Sequence, residues 1–174
     1  MCINNNGKVA TAKKAESLDE ALERADRIKH ELERRKVHAQ VLAYCTKELM
    51  EDNAYHAVFE AVKGIGARMR TLSGLGSDGA DLATAMFSIG KDSNPMFSIN
   101  SLKNDSLKSE QKGFMNLLVG IFGMFRNPIA HAPRTEWAMS DTDALDMLTT
   151  VSLVHRKLDT ASQHTKQKAE QGGI

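Results

Sequence analysis

Residues 107–125 read LKSEQKGFMNLLVGIFGMF, and this stretch decides the fold. Its apolar residues run nearly all round a helix, so the segment is expected at the centre of a helical bundle. Gly113, Asn116, Gly120, Gly123 and Asn127 recur every three or four residues along one line. Small side chains on one line let another backbone come close, although each glycine weakens a helix by about 1 kcal/mol relative to alanine. Tight packing within one subunit is the simpler reading of that line, and a seam between subunits is the other. The apolar run 114–125 is too short to span a bilayer.

Working outward, a second helix is expected from about Ala54, with Val58, Ala61, Val62, Ile65, Met69 and Leu72 on its buried face. His56, Glu60 and Lys63 fall on the opposite face. Residues 73–79, SGLGSDG, form a loop, residues 82–89 a short helix, and residues 91–104 an irregular stretch. The last helix is expected from about Ser140 to Gln163, on Ala144, Leu145, Leu148, Val151, Leu153, Val154 and Leu158. Toward the N-terminus, Ser17 and Glu20 fit a capping box. Leu18, Leu22, Ala25, Ile28 and Leu32 then give a narrow apolar stripe on a highly charged helix, read as a seam for another helix. That helix is expected to continue, kinked, through Val41, Leu42, Cys45 and Leu49. The organisation is thus a disordered leader (1–16), an N-terminal amphipathic helical segment (17–50), a helical domain (51–164) and a flexible tail (165–174).

Composition agrees with an all-α chain. Apolar residues reach 41%, enough for one substantial core in 174 residues. Charged residues reach 26% yet leave a formal net charge of +1, which excludes a strongly basic nucleic-acid coat and an acidic tail but not a local basic site. Cys2 and Cys45 form no ligand spacing and read as reduced thiols, which points to the cytoplasm. No metal-ligand cluster and no phosphate-cradling glycine loop stands out, so no cofactor is expected.

The sharpest chemistry lies directly after the decisive stretch, in Arg126-Asn127-Pro128-Ile129-Ala130-His131. Pro128 lacks an N–H and steers Asn127 away from helical conformations, so the chain breaks here and Asn127 can cap a new turn. The arginine fork binds phosphate and stays charged. A histidine moves protons near neutrality, and asparagine adds a donor and an acceptor. Together they suit attack by a ribose 2′-hydroxyl on the adjacent phosphate without a metal. The plainer alternative makes Arg126 a helix C-cap and His131 a satisfied core histidine.

The run Gly113-Phe114-Met115-Asn116-Leu117-Leu118 through Phe125-Arg126-Asn127-Pro128-Ile129-Ala130-His131 resembles the HEPN superfamily, more narrowly its Ymh-type branch. The resemblance covers about residues 50–160. It takes in Tyr55-His56-Ala57-Val58-Phe59-Glu60-Ala61 and Leu153-Val154-His155-Arg156-Lys157-Leu158-Asp159. It implies an antiparallel helical bundle, usually dimeric, with Arg126 and His131 of both subunits in one cleft that cleaves RNA, and Asn127 assisting. Similar proteins serve in toxin–antitoxin pairs, abortive infection and phage defence, which implies a possible cognate antitoxin or defence partner. Other relatives have lost activity and act as binding or neutralising modules.

Three further residues are supporting candidates: Glu60, for which the other reading is a solvated face with local ion pairs; His155, otherwise a helix-flank histidine; and Arg134, a second phosphate contact. Residues 32–36, LERRK, are a basic cluster or simply a charged helix surface, and Trp137 stacks on a base or anchors a loop. The expected function is a metal-independent endoribonuclease acting as a homodimer on RNA, with no membrane role. Its rivals are a silent HEPN module and a helical interaction protein that oligomerises through its N-terminal helix.

Overall fold

In the computed structural model, residues 2–3, 9–10, 18–44, 54–91, 94–125 and 139–164 are described. Their helices are α1 (Leu18–Arg34), α2 (Ala39–Leu42), α3 (Ala54–Ser73), α4 (Gly79–Phe87), α5 (Asp105–Phe125) and α6 (Asp141–Thr160). Two two-residue antiparallel pairs accompany them. Cys2–Ile3 (β1) pairs with Val9–Ala10 (β2), inside the stretch expected to be a leader, and Phe97–Ser98 (β3) pairs with Ser162–Gln163 (β4). The fold is all-α, and no helix among the described residues is long and apolar enough to cross a membrane.

The centre of the core is α3, not α5. Ala57, Val58, Ala61, Val62, Ile65 and Met69 are wholly buried, and α3 packs on α2, α4, α5 and α6. Leu72, expected on the same face, is 38% exposed, one residue before the helix ends at Ser73. α5 buries one side only, through Gln111, Phe114, Leu118, Ile121, Phe122 and Phe125. Its line of small residues faces outward: a methyl group added at Gly113, Gly120 or Gly123 meets nothing within 4 Å. Tight packing within the chain therefore does not account for the line. Leu117 and Met124, 37% and 62% exposed, lie beside it.

The N-terminal stripe is also corrected. Ala25, Ile28 and Leu32 join the same core as α3 and α6, so the seam is intramolecular, while Leu18 and Leu22 are exposed. Burial of Ala21 and Arg24 shifts the packed face round the helix at that end. Arg24 Nε and Nη2 find no hydrogen-bond partner among the described residues. α1 does not run on with a kink. Lys36 adopts φ 52°, the Lys36 N–H donates to Glu33 O and the Val37 N–H to Leu32 O, a Schellman stop. His38 then caps the single turn of α2, its Nδ1 accepting the Gln40 N–H at 3.1 Å.

The remaining connections follow local chemistry. Gly74 (φ 69°) closes α3, and Asp78 caps α4 by accepting the Gly79 N–H at 2.9 Å. Asn104 caps α5 through the Leu107 N–H, and Ser140 caps α6 through the Asp143 N–H. The irregular stretch before α5 is held by Gln111, fully buried. Its amide nitrogen donates to Phe87 O at 3.0 Å and Phe97 O at 2.9 Å, and its oxygen accepts the Ile99 N–H at 3.0 Å.

Candidate functional site

α5 ends at Phe125 and α6 is capped by Ser140; Arg126, Asn127, His131 and Arg134 lie between them, outside the described residues. Outside them too lie Ser17, Cys45, Leu49, Trp137 and the tail beyond His164. What the structure gives is the frame at both ends. The Tyr55 hydroxyl donates to Phe125 O at 3.1 Å in a buried position. The last four carbonyls of a helix lack intrahelical donors, so this bond satisfies one of them at the residue before Arg126. Burial pushes the Tyr55 phenol up to about 12, so it remains a donor throughout the neutral range. At the other end, Met139 packs partly buried against the core.

α3 crosses α5 close to the end of α5. Tyr55 and Gly66 are far apart on α3, yet they reach Phe125 and Phe122, which are close together on α5. Beside this crossing opens a cleft of about 270 Å³, walled by Tyr44, Glu60, Lys63, Arg70, Asp78 and Phe122. Its floor is bare backbone. A methyl group on Gly64 would stand 2.0 Å from the Tyr44 Oη, so the tyrosine ring rests where only glycine leaves room. Burial, and then the Glu60 carboxylate, raise the Tyr44 phenol above its ordinary value. Arg70 Nη1 donates to Asp78 Oδ1 at 2.7 Å. Lys63 Nζ donates to both Glu60 oxygens, at 2.9 and 3.1 Å, and lies 5.3 Å from the Phe59 ring centroid.

Glu60 is therefore a wall of this cleft, held by Lys63 and with His56 Nε2 3.8 Å away. His155 is placed elsewhere. It is 1% exposed, on the buried face of α6 with Val151, Val154 and Leu158. Its Nδ1 lies 3.2 Å from Arg68 Nη1. Arg68 is two residues from Arg70 and so on nearly the opposite face of α3 from the cleft. Arg68 also donates to the His155 carbonyl and to Asp159, and His38 Nε2 stands 3.2 Å from Asp159 Oδ2. Desolvation first, then the Arg68 and His38 charges, lower the His155 imidazole to about 4. The Asp159 carboxyl is held down chiefly by its bond to Arg68. This quartet bonds α6 to α3 and to the segment between α1 and α2.

Sequence reasoning missed Tyr55 as the fastener of α5, and it missed the Tyr44–Gly64 and Arg70–Asp78 pairs. The signal available for the second was Gly64 and Gly66 within a helix, a place where something must come close. Among the described residues, no group of three or more His, Cys, Asp or Glu is placed to hold a metal ion.

A family model described as a protein of unknown function, Hypoth_Ymh, matches residues 35–158. The chain belongs to the Hypoth_Ymh family. The Hypoth_Ymh match takes in α2 to α5, nearly all of α6, the cleft and the His155 quartet except Asp159, while α1 lies before it. No curated protein and no solved structure matches the chain.

Proposed function

We propose that this Hypoth_Ymh chain is an endoribonuclease of HEPN type, active as a homodimer and serving as a toxin or phage-defence effector. The observation that carries it is the string Arg126-Asn127-Pro128-Ile129-Ala130-His131, which follows directly on a helix whose last carbonyl is fastened by Tyr55. In this reading a 2′-hydroxyl, losing its proton to one histidine, attacks the neighbouring phosphorus. The bond from phosphorus to the 5′-oxygen breaks, and that oxygen takes a proton from a second histidine. Arg126 balances the charge on the phosphoryl oxygens and Asn127 bonds to them. The products are a 2′,3′-cyclic phosphate and a 5′-hydroxyl, and no step calls for a metal.

One chain offers one His131, so a two-fold pair of chains would supply both proton roles. The outward line Gly113, Asn116, Gly120 and Gly123, with Leu117 and Met124, supports a helix-to-helix contact there. The deciding assay incubates purified protein with total RNA and tRNA in EDTA and analyses the fragment ends. Cyclic phosphate ends that disappear in Arg126→Ala and His131→Ala support the reading. Cutting that needs Mg²⁺, or that survives both changes, sinks it.

A silent module of the same fold, paired with a partner protein, is the second reading. A formal net charge of +1 favours it, because the chain as a whole exerts little long-range pull on RNA. Absence of cutting in the same assay selects it.

A further inference from the structure

We propose that the cleft beside Tyr44 seats one unpaired RNA base, with guanine its best fit; this rests on the ribonuclease reading above. At about 270 Å³ the cleft is smaller than the ~300–1,000 Å³ typical of sites for drug-sized molecules, and it matches a single base.

Its walls supply the two things that recognition of a splayed-out base needs, a flat face and a hydrogen-bonding edge. The face is the Tyr44 ring, which lines the cleft with its hydroxyl end against the open backbone of Gly64, and Phe122 lines the same cleft. An aromatic ring accepts any base by stacking. The edge is Arg70. Its Nη1 is engaged by Asp78 Oδ1, which ties the guanidinium to the wall of the cleft. The other N–H groups of Arg70 make no hydrogen bond to a described residue, although the side chain is 38% exposed and lines the cleft. A planar fork with spare donors matches the O6 and N7 acceptors of guanine, the pairing arginine makes most often with a base. Adenine presents a donor in place of O6 and fits less well. Asp78 is a positioning residue here, since it aims the fork and caps α4 at once.

Location adds an independent reason. Phe122 lies one helical turn before Phe125, about 5 Å along the axis. A base in the cleft thus leaves its neighbouring phosphates near the end of α5, where the proposed chemistry begins.

The test uses the full chain carrying His131→Ala, so that RNA stays intact, and four labelled RNA hexamers: six uridines, and the same with G, A or C at the third position. Fluorescence anisotropy should show the G hexamer binding at least about fivefold more tightly than the others. Arg70→Lys keeps the charge but loses the fork, and should erase that discrimination. Gly64→Ala should weaken all four by displacing Tyr44; if it melts early, Tyr44→Leu gives the same reading. Equal binding of the four hexamers, or discrimination that survives Arg70→Lys, overturns the proposal. Cleavage of total RNA by the unmodified chain is scored separately. Preference for G without cleavage keeps the base site and sinks the ribonuclease; cleavage without preference does the reverse.

Discussion

The ring of His38 lies over the ring of His155, with centroids 5.1 Å apart and planes 19° from parallel. Two imidazoles this close, with Arg68 beside one of them, favour the uncharged state of the buried ring. His155 is neutral in the fold, with an imidazole lowered to about 4, whereas the unfolded chain takes its proton near 6.5. Between these values the unfolded state binds more protons, so stability rises with pH and is lost as pH falls. The loss begins below about 6.5 and is complete below about 4, and amounts to roughly 3 kcal/mol. Melting temperatures measured from pH 7 to 4 should fall accordingly. His155→Leu should flatten that part of the profile; an unchanged slope in the variant assigns the acid sensitivity to the carboxylates instead.

Tyr55→Phe removes the donor to Phe125 O and leaves a buried carbonyl short of a partner. The expected cost is about 1–2 kcal/mol, read as a lower urea midpoint with an unchanged slope. No shift in the midpoint means that water takes over the bond and that Tyr55 fastens nothing.

Deleting residues 1–36 should unfold the chain or leave it loosely packed. The deletion takes Ala25, Ile28 and Leu32 from the core, and burial of an Ile or Leu side chain contributes about 1.5–3 kcal/mol. It also removes Arg35, which bonds to Asp146 and Thr149 of α6. Against a total stability of about 5–15 kcal/mol these losses are large. A cooperative melt and full helix content in the truncated chain, by circular dichroism, would show that α1 is an accessory.

Gly120→Leu separates packing from association. The position is exposed and an added methyl group meets no described residue within 4 Å, so the monomer should gain up to about 1 kcal/mol from better helix propensity. If two copies meet along this line, the leucine should push them apart, seen as a halved mass in sedimentation at an unchanged or raised melting temperature. A lowered melting temperature with unchanged mass contradicts the outward placement of Gly120.

Gln111→Leu should cost about 2–4 kcal/mol, because two carbonyls and one N–H of the irregular stretch lose their partner at once. Hydrogen exchange at Ile99 is the direct check, and protection that persists in the variant refutes the role given to Gln111.

Helices α3 and α6 were legible because each buries a stripe at helical spacing: Val58, Ala61, Val62, Ile65 and Met69 on one, Ala144, Leu148, Val151, Val154 and Leu158 on the other. α5 misled because apolar composition is not burial. Leu117 and Met124 are exposed on it, while Gln111 is wholly inside. The stop of α1 was invisible because it rests on Lys36 in a left-handed conformation, where glycine or asparagine is the usual sign. Of the site, periodicity placed Glu60 on a face that proved to be a cleft wall. The Tyr44–Gly64 and Arg68–His155 contacts join residues from different helices and loops, and no spacing along one chain encodes such meetings.

Gln111 also sets an order of events during synthesis. The segment it organises, from Phe87 to Ile99, leaves the ribosome before the glutamine that satisfies it. The strand partner of Phe97–Ser98, Ser162–Gln163, comes later still. At a synthesis rate of about 5–20 residues per second, these partners reach that peptide only seconds after it is made. The buried amide of α5 therefore acts as a late clasp on an early segment, and the helices before it must hold their own shape in the meantime.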